Sequence, residues 1–450
     1  MKRNGNLKAW LIVTLAGIMI LPGVCAALPQ AQSTQQPPAP KYTPQEYRDF
    51  QAARAETNAQ QKLKLLDDFV AKYPNSDLLV FIYPEYAAAY KETKNWPKVV
   101  ESYDKVLSFP NLDPPTRLNN LYGRAVAFGS AYNPKAPNAR EQAAKAVDAC
   151  KQGLQTVEAI AKPENVTAEQ FTQKKKEVVL LFLNTAAFAS LQNKDERGGI
   201  DYYKQSLKLD PNQSVVAYQM GRAYLLSTPA QSIDGFWMIA RAISLKIPSA
   251  PAVEKYLKQE VNKYELPSCD SSVDAQVKEL IALAASQAER PASYSIPSAA
   301  DLVKAREQAN IATVLADLKA GGDKAKLTWL AVCSGGFPEA LGKVFEVASG
   351  SDTVTIKAYA GTTEEEVQAA TVPNVELKVA GQPEASRLQK HALFRFGGAL
   401  VEYIPDPLLM RWDKVKINAE DIPEDKTAKP GKKAGKAPAK HPAKKAAPQQ

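Results

Sequence analysis

Residues 180–247 read LLFLNTAAFASLQNKDERGGIDYYKQSLKLDPNQSVVAYQMGRAYLLSTPAQSIDGFWMIARAISLKI, and this stretch decides the fold. Gly221 and Tyr224 stand three apart on one expected helix, and Trp237, Ala240 and Ile243 recur at helical spacing on the next. The pattern is that of two consecutive helix–turn–helix repeats. One such repeat cannot bury its apolar stripe alone. It must stack on neighbours, and stacking builds an extended concave binding surface.

The same periodicity extends upstream. Thr43 precedes a proline at the first helical position, a start signal. Leu63, Leu66, Phe69 and Val70 form one stripe, closed by Tyr73–Pro74–Asn75–Ser76. Tyr83, Ala87, Tyr90, Trp96, Val99, Tyr103 and Val106 carry the pattern over two further helices, with a turn at residues 93–95. Such an aromatic stripe serves packing between helices before it serves a ligand. A longer unit covers residues 118–160. Downstream, helices are expected at 253–264, 273–288 and 300–318, which gives a repeat domain of residues 43–320. Gly321–Gly322–Asp323–Lys324 then opens an expected linker, residues 321–336.

After Gly336 the period changes from about 3.6 to 2. Residues 343–347 and 353–357 alternate around a Ser–Gly–Ser–Asp turn, residues 375–379 alternate again, and 392–403 and 408–417 bracket Pro405–Asp406–Pro407. Five or so short strands imply a small β-barrel at 337–422, with a short helix within 361–371 opened by Glu364, Glu365 and Glu366. The fold class is therefore mainly α, a helical-repeat solenoid followed by a small β-barrel domain.

The two ends differ from the body. Lys2, Arg3 and Lys8 precede an uncharged apolar run that stops at Pro22–Gly23 before small residues. This is the pattern of a cleaved secretory signal, residues 1–27, and the run is too short for a membrane span. Export to a secreted or periplasmic location follows, with lipid anchoring through Cys25 as the alternative. Residues 28–42 are a Pro/Gln-rich linker. Residues 423–450 form a Lys/Ala/Pro tail expected to be disordered, with no bulky apolar side chain to offset the ordering entropy. The net charge of +9 falls to −2 once the three signal-segment cations and the eight tail lysines are set aside. The basic balance belongs to the ends, and the body is not a basic nucleic-acid-binding domain.

On these residues the segments 78–111 and 180–247 resemble tetratricopeptide repeats of bacterial envelope proteins. Ala87, Tyr90, Trp96 and Tyr103 hold the interlocking positions in one copy, Ala187 and Tyr203 in another, and Gly221, Tyr224, Trp237 and Ala240 in a third. Val99 and Ile233 depart from the usual small alanine. Residues 337–422 resemble an oligonucleotide/oligosaccharide-binding (OB) barrel, chiefly through residues 396–403 and the Pro–Asp–Pro that follows. The first resemblance implies a protein partner held in a groove. The second implies many ligands and names none.

No catalytic constellation, cofactor motif or metal set is expected. Asp67 and Asp68 diverge on a helix, the two histidines, His391 and His441, lie far apart, and no phosphate-loop pattern occurs. Cys150 fits a helix interior, and pairing of Cys269 with Cys333 stays open. The sequence thus points to a non-enzymatic scaffold that binds a protein partner through its repeat groove. The alternative is a glycan- or surface-polymer-binding module using the barrel, with Tyr359, Tyr403 and Trp412 as candidate ligand contacts. The lysine tail adds attraction to an anionic envelope polymer, whereas nucleic acid is not an expected partner of the barrel.

Overall fold

The computed structural model describes residues 42–265, 270–333, 335–350 and 352–424. The expected signal segment, Cys25, all but the last residue of the Pro/Gln-rich linker, Cys269 and the lysine tail from residue 425 on lie outside the described residues. The chain forms two compact units, one of residues up to 260 with 276–296, the other of 261–275 with 297 onward.

The first unit is a helical-repeat array. It contains α1 (Pro44–Ala55), α2 (Ala59–Lys72), α3 (Leu79–Glu92), α4 (Trp96–Leu107), α5 (Pro114–Ala131), α6 (Ala139–Glu158), α7 (Ala168–Gln192), α8 (Glu196–Leu209), α9 (Ser214–Leu226) and α10 (Ser232–Ser244). Most of α11 (Ala250–Tyr264) and α12 (Asp270–Ser286) follows. Each helix packs on the next from α1 to α10, and α5 also touches α7. Local chemistry sets the ends. The Thr43 hydroxyl accepts the Glu46 amide ahead of Pro44, and Thr167 with Gln170 closes a reciprocal capping box on α7. One turn recurs three times, with Lys94, Lys194 and Lys246 at φ of 57°, 64° and 57°. After each lysine the next amide donates five residues back, Asn95 to Tyr90, Asp195 to Ser190 and Ile247 to Ala242. This is the six-residue closure that ends helices through a left-handed residue. Its recurrence is a backbone signature of the repeat.

Small residues let the helices approach. A Cβ on Gly221 would lie 2.7 Å from Ile239 Cγ1 and 2.8 Å from the Gly235 carbonyl oxygen, so α9 and α10 cross almost backbone to backbone. Gly123 leaves room for the Tyr103 ring in the same way. Ala87, Val99 and Ala127 are buried with Tyr90, Trp96 and Tyr103 packed around them. Ala187, Tyr203, Gly221, Tyr224, Trp237 and Ala240 are all interior.

The second unit ends in a closed barrel of β1 (Gly336–Ser349), β2 (Thr353–Gly361), β3 (Val375–Ala380), β4 (Leu393–Pro405) and β5 (Leu408–Ile417). The strand order is β1-β2-β3-β5-β4, with β3 and β5 parallel and the other pairs antiparallel. Closure removes free edges, and alternate residues such as Val354, Ile356 and Ala358 fill the interior with Phe394, Phe396 and Trp412. The acidic stretch at 364–366 does open a short helix, α16 (Glu364–Ala369), and Lys343 Nζ donates to the Gln368 and Ala370 carbonyls at its end.

Two expectations about the join need correction. The single helix at 300–318 is two, α13 (Ala299–Gln308) and α14 (Ile311–Ala320), because Asn310 and Thr313 cap a new start. The stretch 321–336 is no open linker, for residues 322–332 form α15 (Gly322–Val332). Gly321 and Gly322, at φ of 72° and 68°, only turn the chain tightly. Leu302, Val314, Leu318, Leu330, Ala331 and Val332 share one core with the barrel, so α13 to α15 belong to the barrel's unit. Cys333, directly after α15, is buried and disulfide-bonded.

Candidate partner-binding face

Among the odd-numbered helices α5 packs on α7, and single side-chain contacts link α7 to the start of α9 and α9 to α11. Beyond the α5–α7 contact, Asn184 of α7 donates to Gln213 Oε1 at 3.0 Å just before α9. The Gln213 amide in turn donates to Ser206 Oγ and to the Ser206 and Asp210 carbonyls at the end of α8. The Tyr218 ring of α9 meets Tyr256 of α11 edge to face at 6.3 Å.

On α9 two faces are distinct. Val216, Ala217, Met220, Gly221, Ala223 and Tyr224 are buried. The opposite stripe carries Val215, Tyr218, Arg222 and Leu226, of which Val215 and Leu226 are exposed apolar side chains. Helical spacing puts these four on one line. The Arg222 guanidinium lies over the Tyr218 ring at 5.9 Å. Burial pushes the Tyr256 phenol up, against the lowering effect of Arg222. Among the described residues no carboxylate forms an ion pair with Arg222. Two phenol rings, an arginine without an acid and an apolar rim form a surface suited to an extended polypeptide: aromatic and arginine anchors carry most energy at protein interfaces.

The barrel wall is built differently. Glu346, Lys357, Glu376, Arg411 and Glu402 sit in register across β1, β2, β3, β5 and β4. Lys357 reaches Glu346 at 2.8 Å, and Arg411 bridges Glu376 at 3.5 Å and Glu402 at 2.8 Å. Charges of alternating sign therefore girdle all five strands and satisfy one another.

The three candidate ligand contacts do not converge. Trp412 is 1% exposed and packs edge-on against Phe337 and Phe396, both at 5.3 Å. It is a core residue and offers no ring face to a glycan, because an outward position would break the alternation of β5. Tyr403 leans on Trp329 at 4.9 Å. The Tyr359 hydroxyl donates to Glu366 at 2.9 Å. Phe394 and Phe396 are likewise interior.

Other polar groups serve packing. Arg124, buried in α5, pairs with Asp104, and burial pushes the free Cys150 thiol up to about 12, which leaves it unreactive. A hollow of about 280 Å³ between α6 and α8 is lined by Lys151, Asp195, Asp201 and Tyr202. Another of about 350 Å³ at one end of the barrel is lined by Ser349, Asp352, Thr353, Gln382 and Ser386. No group of three metal-binding side chains occurs among the described residues, and no helix among them is long and apolar enough to cross a membrane.

Tyr218, Arg222 and Tyr256 were not singled out from the sequence. The available signal was the second stripe of α9, offset from the buried one, but its neighbour on α11 is 30 residues or more away in sequence. No protein-family model matches the chain, and no curated protein is significantly similar to it.

Proposed function

We propose that this chain is a non-enzymatic scaffold of the secreted or periplasmic space that binds a polypeptide partner across α9 and α11. The observation that carries the reading is the line Val215–Tyr218–Arg222–Leu226 beside Tyr256, in which a half-buried cation and two half-buried aromatic rings are flanked by exposed apolar side chains on one helical face. The resemblance to tetratricopeptide repeats supports it, as do the three lysine-centred turns. Export is supported by the basic-then-apolar N-terminal pattern and by the disulfide at Cys333, a bond that persists in oxidising compartments.

In this reading the barrel, which follows the OB strand order, is a second contact or a spacer. Against the glycan alternative stand its ion-paired wall and the interior position of Trp412. The eight lysines beyond residue 425 add attraction to anionic envelope polymer, weakened by salt.

The test is crosslinking in intact cell envelopes followed by purification, comparing wild type, Tyr218→Ala/Tyr256→Ala and Tyr359→Ala. The expected result is a stoichiometric protein adduct that the double variant loses and the Tyr359 variant keeps. Recovery of no stoichiometric protein, or equal recovery with the double variant, rejects the assignment. Retention on peptidoglycan abolished by Tyr359→Ala favours the glycan reading instead.

A further inference from the structure

Beside the girdle of paired charges on the barrel lies a cluster of one sign. Past Glu376 on the outer face of β3 stands Lys378, exposed between the inward Leu377 and Val379. On the adjoining β5 the register slips between Leu377↔Trp412 and Val379↔Val415, so Asp413 and Lys414 together face Lys378. The bulge sets Lys414 outward at φ of 51°, in the left-handed region. Glycine is the residue that bulges favour at such a position, because it meets no steric penalty there. The Asp413 carboxylate turns back and accepts the Lys414 amide at 2.9 Å. Lys416 follows on the same face, its Nζ donating to the Ala380 carbonyl at 3.0 Å. None of the three lysines forms an ion pair among the described residues.

We propose that Lys378, Lys414 and Lys416 form a binding site for a linear, phosphate-bearing polyanion without bases. Strand geometry spaces neighbouring members of the cluster about 5–7 Å apart at the backbone, so their charges add and nothing within the cluster neutralises them. Lysine is a compact point charge that suits phosphate, whereas planar carboxylate pairing favours arginine. The surroundings narrow the partner further. Thr355 pairs with Lys378 from β2, and Gly397 with Lys416 from β4, so small residues let a polymer chain lie close to the cations. Neither is a large apolar side chain that could enter a bilayer. Closure of the barrel leaves no free strand edge for an extended peptide to join. The Phe394, Phe396 and Trp412 rings are interior, so they offer no platform on which bases could stack. A left-handed lysine costs stability, and backbone strain of this kind gathers at binding sites.

The test uses the full chain with the eight lysines beyond residue 425 replaced by glutamine, so that they cannot bind in the cluster's place. Fluorescence anisotropy with end-labelled, long-chain inorganic polyphosphate compares this protein with one that also carries Lys378→Gln, Lys414→Gln and Lys416→Gln. The expected result is binding weakened roughly tenfold or more at low salt, with unchanged far-ultraviolet circular dichroism. The slope of log affinity against log salt should also shrink by about 2, since each contact to a single chain releases about 0.7 counterion. Lys414→Gly removes charge and strain together, so it should weaken binding while raising the thermal midpoint. Equal affinity in the triple variant overturns the site. So does a Lys414→Gly protein with a lowered midpoint and unchanged affinity, which makes the left-handed lysine structural. Tighter binding to polyglutamate, to single-stranded DNA or to phosphatidylglycerol vesicles than to polyphosphate, lost in the triple variant, assigns the cluster to another partner and overturns the ligand class.

Discussion

Arg222 on the helical array and Arg411 on the barrel are both half-exposed arginines at the middle of a surface, and they do opposite things. Arg411 lies between two carboxylates in a ladder where every charge has an opposite neighbour. Arg222 lies against two tyrosines with no acid paired to it among the described residues. The lesson is that residue type does not make a binding surface. Neighbours do, by leaving a group's interactions open or by closing them. Exposed paired charges gain little from a partner because they must first be separated and desolvated. An arginine on an aromatic bed is already partly desolvated and preorganised.

The sharpest way to break the contrast is through Trp412. If the barrel wall is closed, this residue acts only as core. Trp412→Ala then destabilises the barrel by about 3–5 kcal/mol through cavity formation. Trp412→Phe costs far less, since it keeps most of the ring packing and removes an indole N–H that is buried without a hydrogen-bond partner. Denaturant unfolding of both variants decides this. A glycan-binding barrel would instead show normal stability and lost retention in both.

A smaller effect tests whether the open face depends on the tight crossing behind it. Gly221→Ala puts a methyl group against Ile239 and the Gly235 carbonyl. Overpacking of this kind costs about 1–3 kcal/mol, partly offset by alanine's better helix propensity of about 1 kcal/mol. The expected result is a lower thermal midpoint together with weaker partner crosslinking. Unchanged crosslinking would mean that the Tyr218–Arg222–Tyr256 geometry does not rest on the α9–α10 contact.

How much of this was legible follows from which interactions are local. Repeats and strands appear in the sequence because Gly221, Tyr224 and Trp237 recur within a few turns, and because residues 353–360 alternate in and out one by one. Helix α15 was hidden because Gly321–Gly322 reads as a linker, although Leu327, Trp329, Leu330 and Val332 already gave an apolar face. The girdle was hidden for a stronger reason. Glu376 meets Arg411 only because β3 pairs with β5 across the intervening β4, a register no linear pattern reveals. Trp412 was misplaced because a tryptophan at a strand looks the same inward or outward until the phase of β5 is known. The candidate face escaped notice because it needs two helices at once.

Acid separates the surfaces next. The Arg395 guanidinium beside Asp421 holds that carboxyl below the usual carboxylate range, helped by the Arg395 amide and opposed by burial. A depressed folded value gives stability that is present above the unfolded range near 4 and is lost as pH falls through the folded value. Wild type should therefore exceed Asp421→Asn in thermal midpoint at neutral pH, with the gap closing below about pH 4. A gap independent of pH would assign Asp421's role to shape instead of charge.

The smallest effect is the most direct test of the closed wall. Arg411→Met leaves Glu376 and Glu402 without their shared cation while keeping the methylene stem that covers the strands. Exposed ion pairs contribute at most about 1 kcal/mol, and salt screens them. The stability loss should therefore be below about 1 kcal/mol at low salt and smaller still at high salt, measured by urea unfolding in both conditions. The consequence for binding is larger in kind than in energy. With the cation gone, the two freed carboxylates make the wall acidic, so the variant should acquire affinity for cationic peptide that the wild type lacks. If Arg411→Met neither loses stability at low salt nor gains such binding, the ladder is an arrangement of solvated side chains with no closing role. The difference between the two arginines would then reduce to the aromatic bed under Arg222 alone.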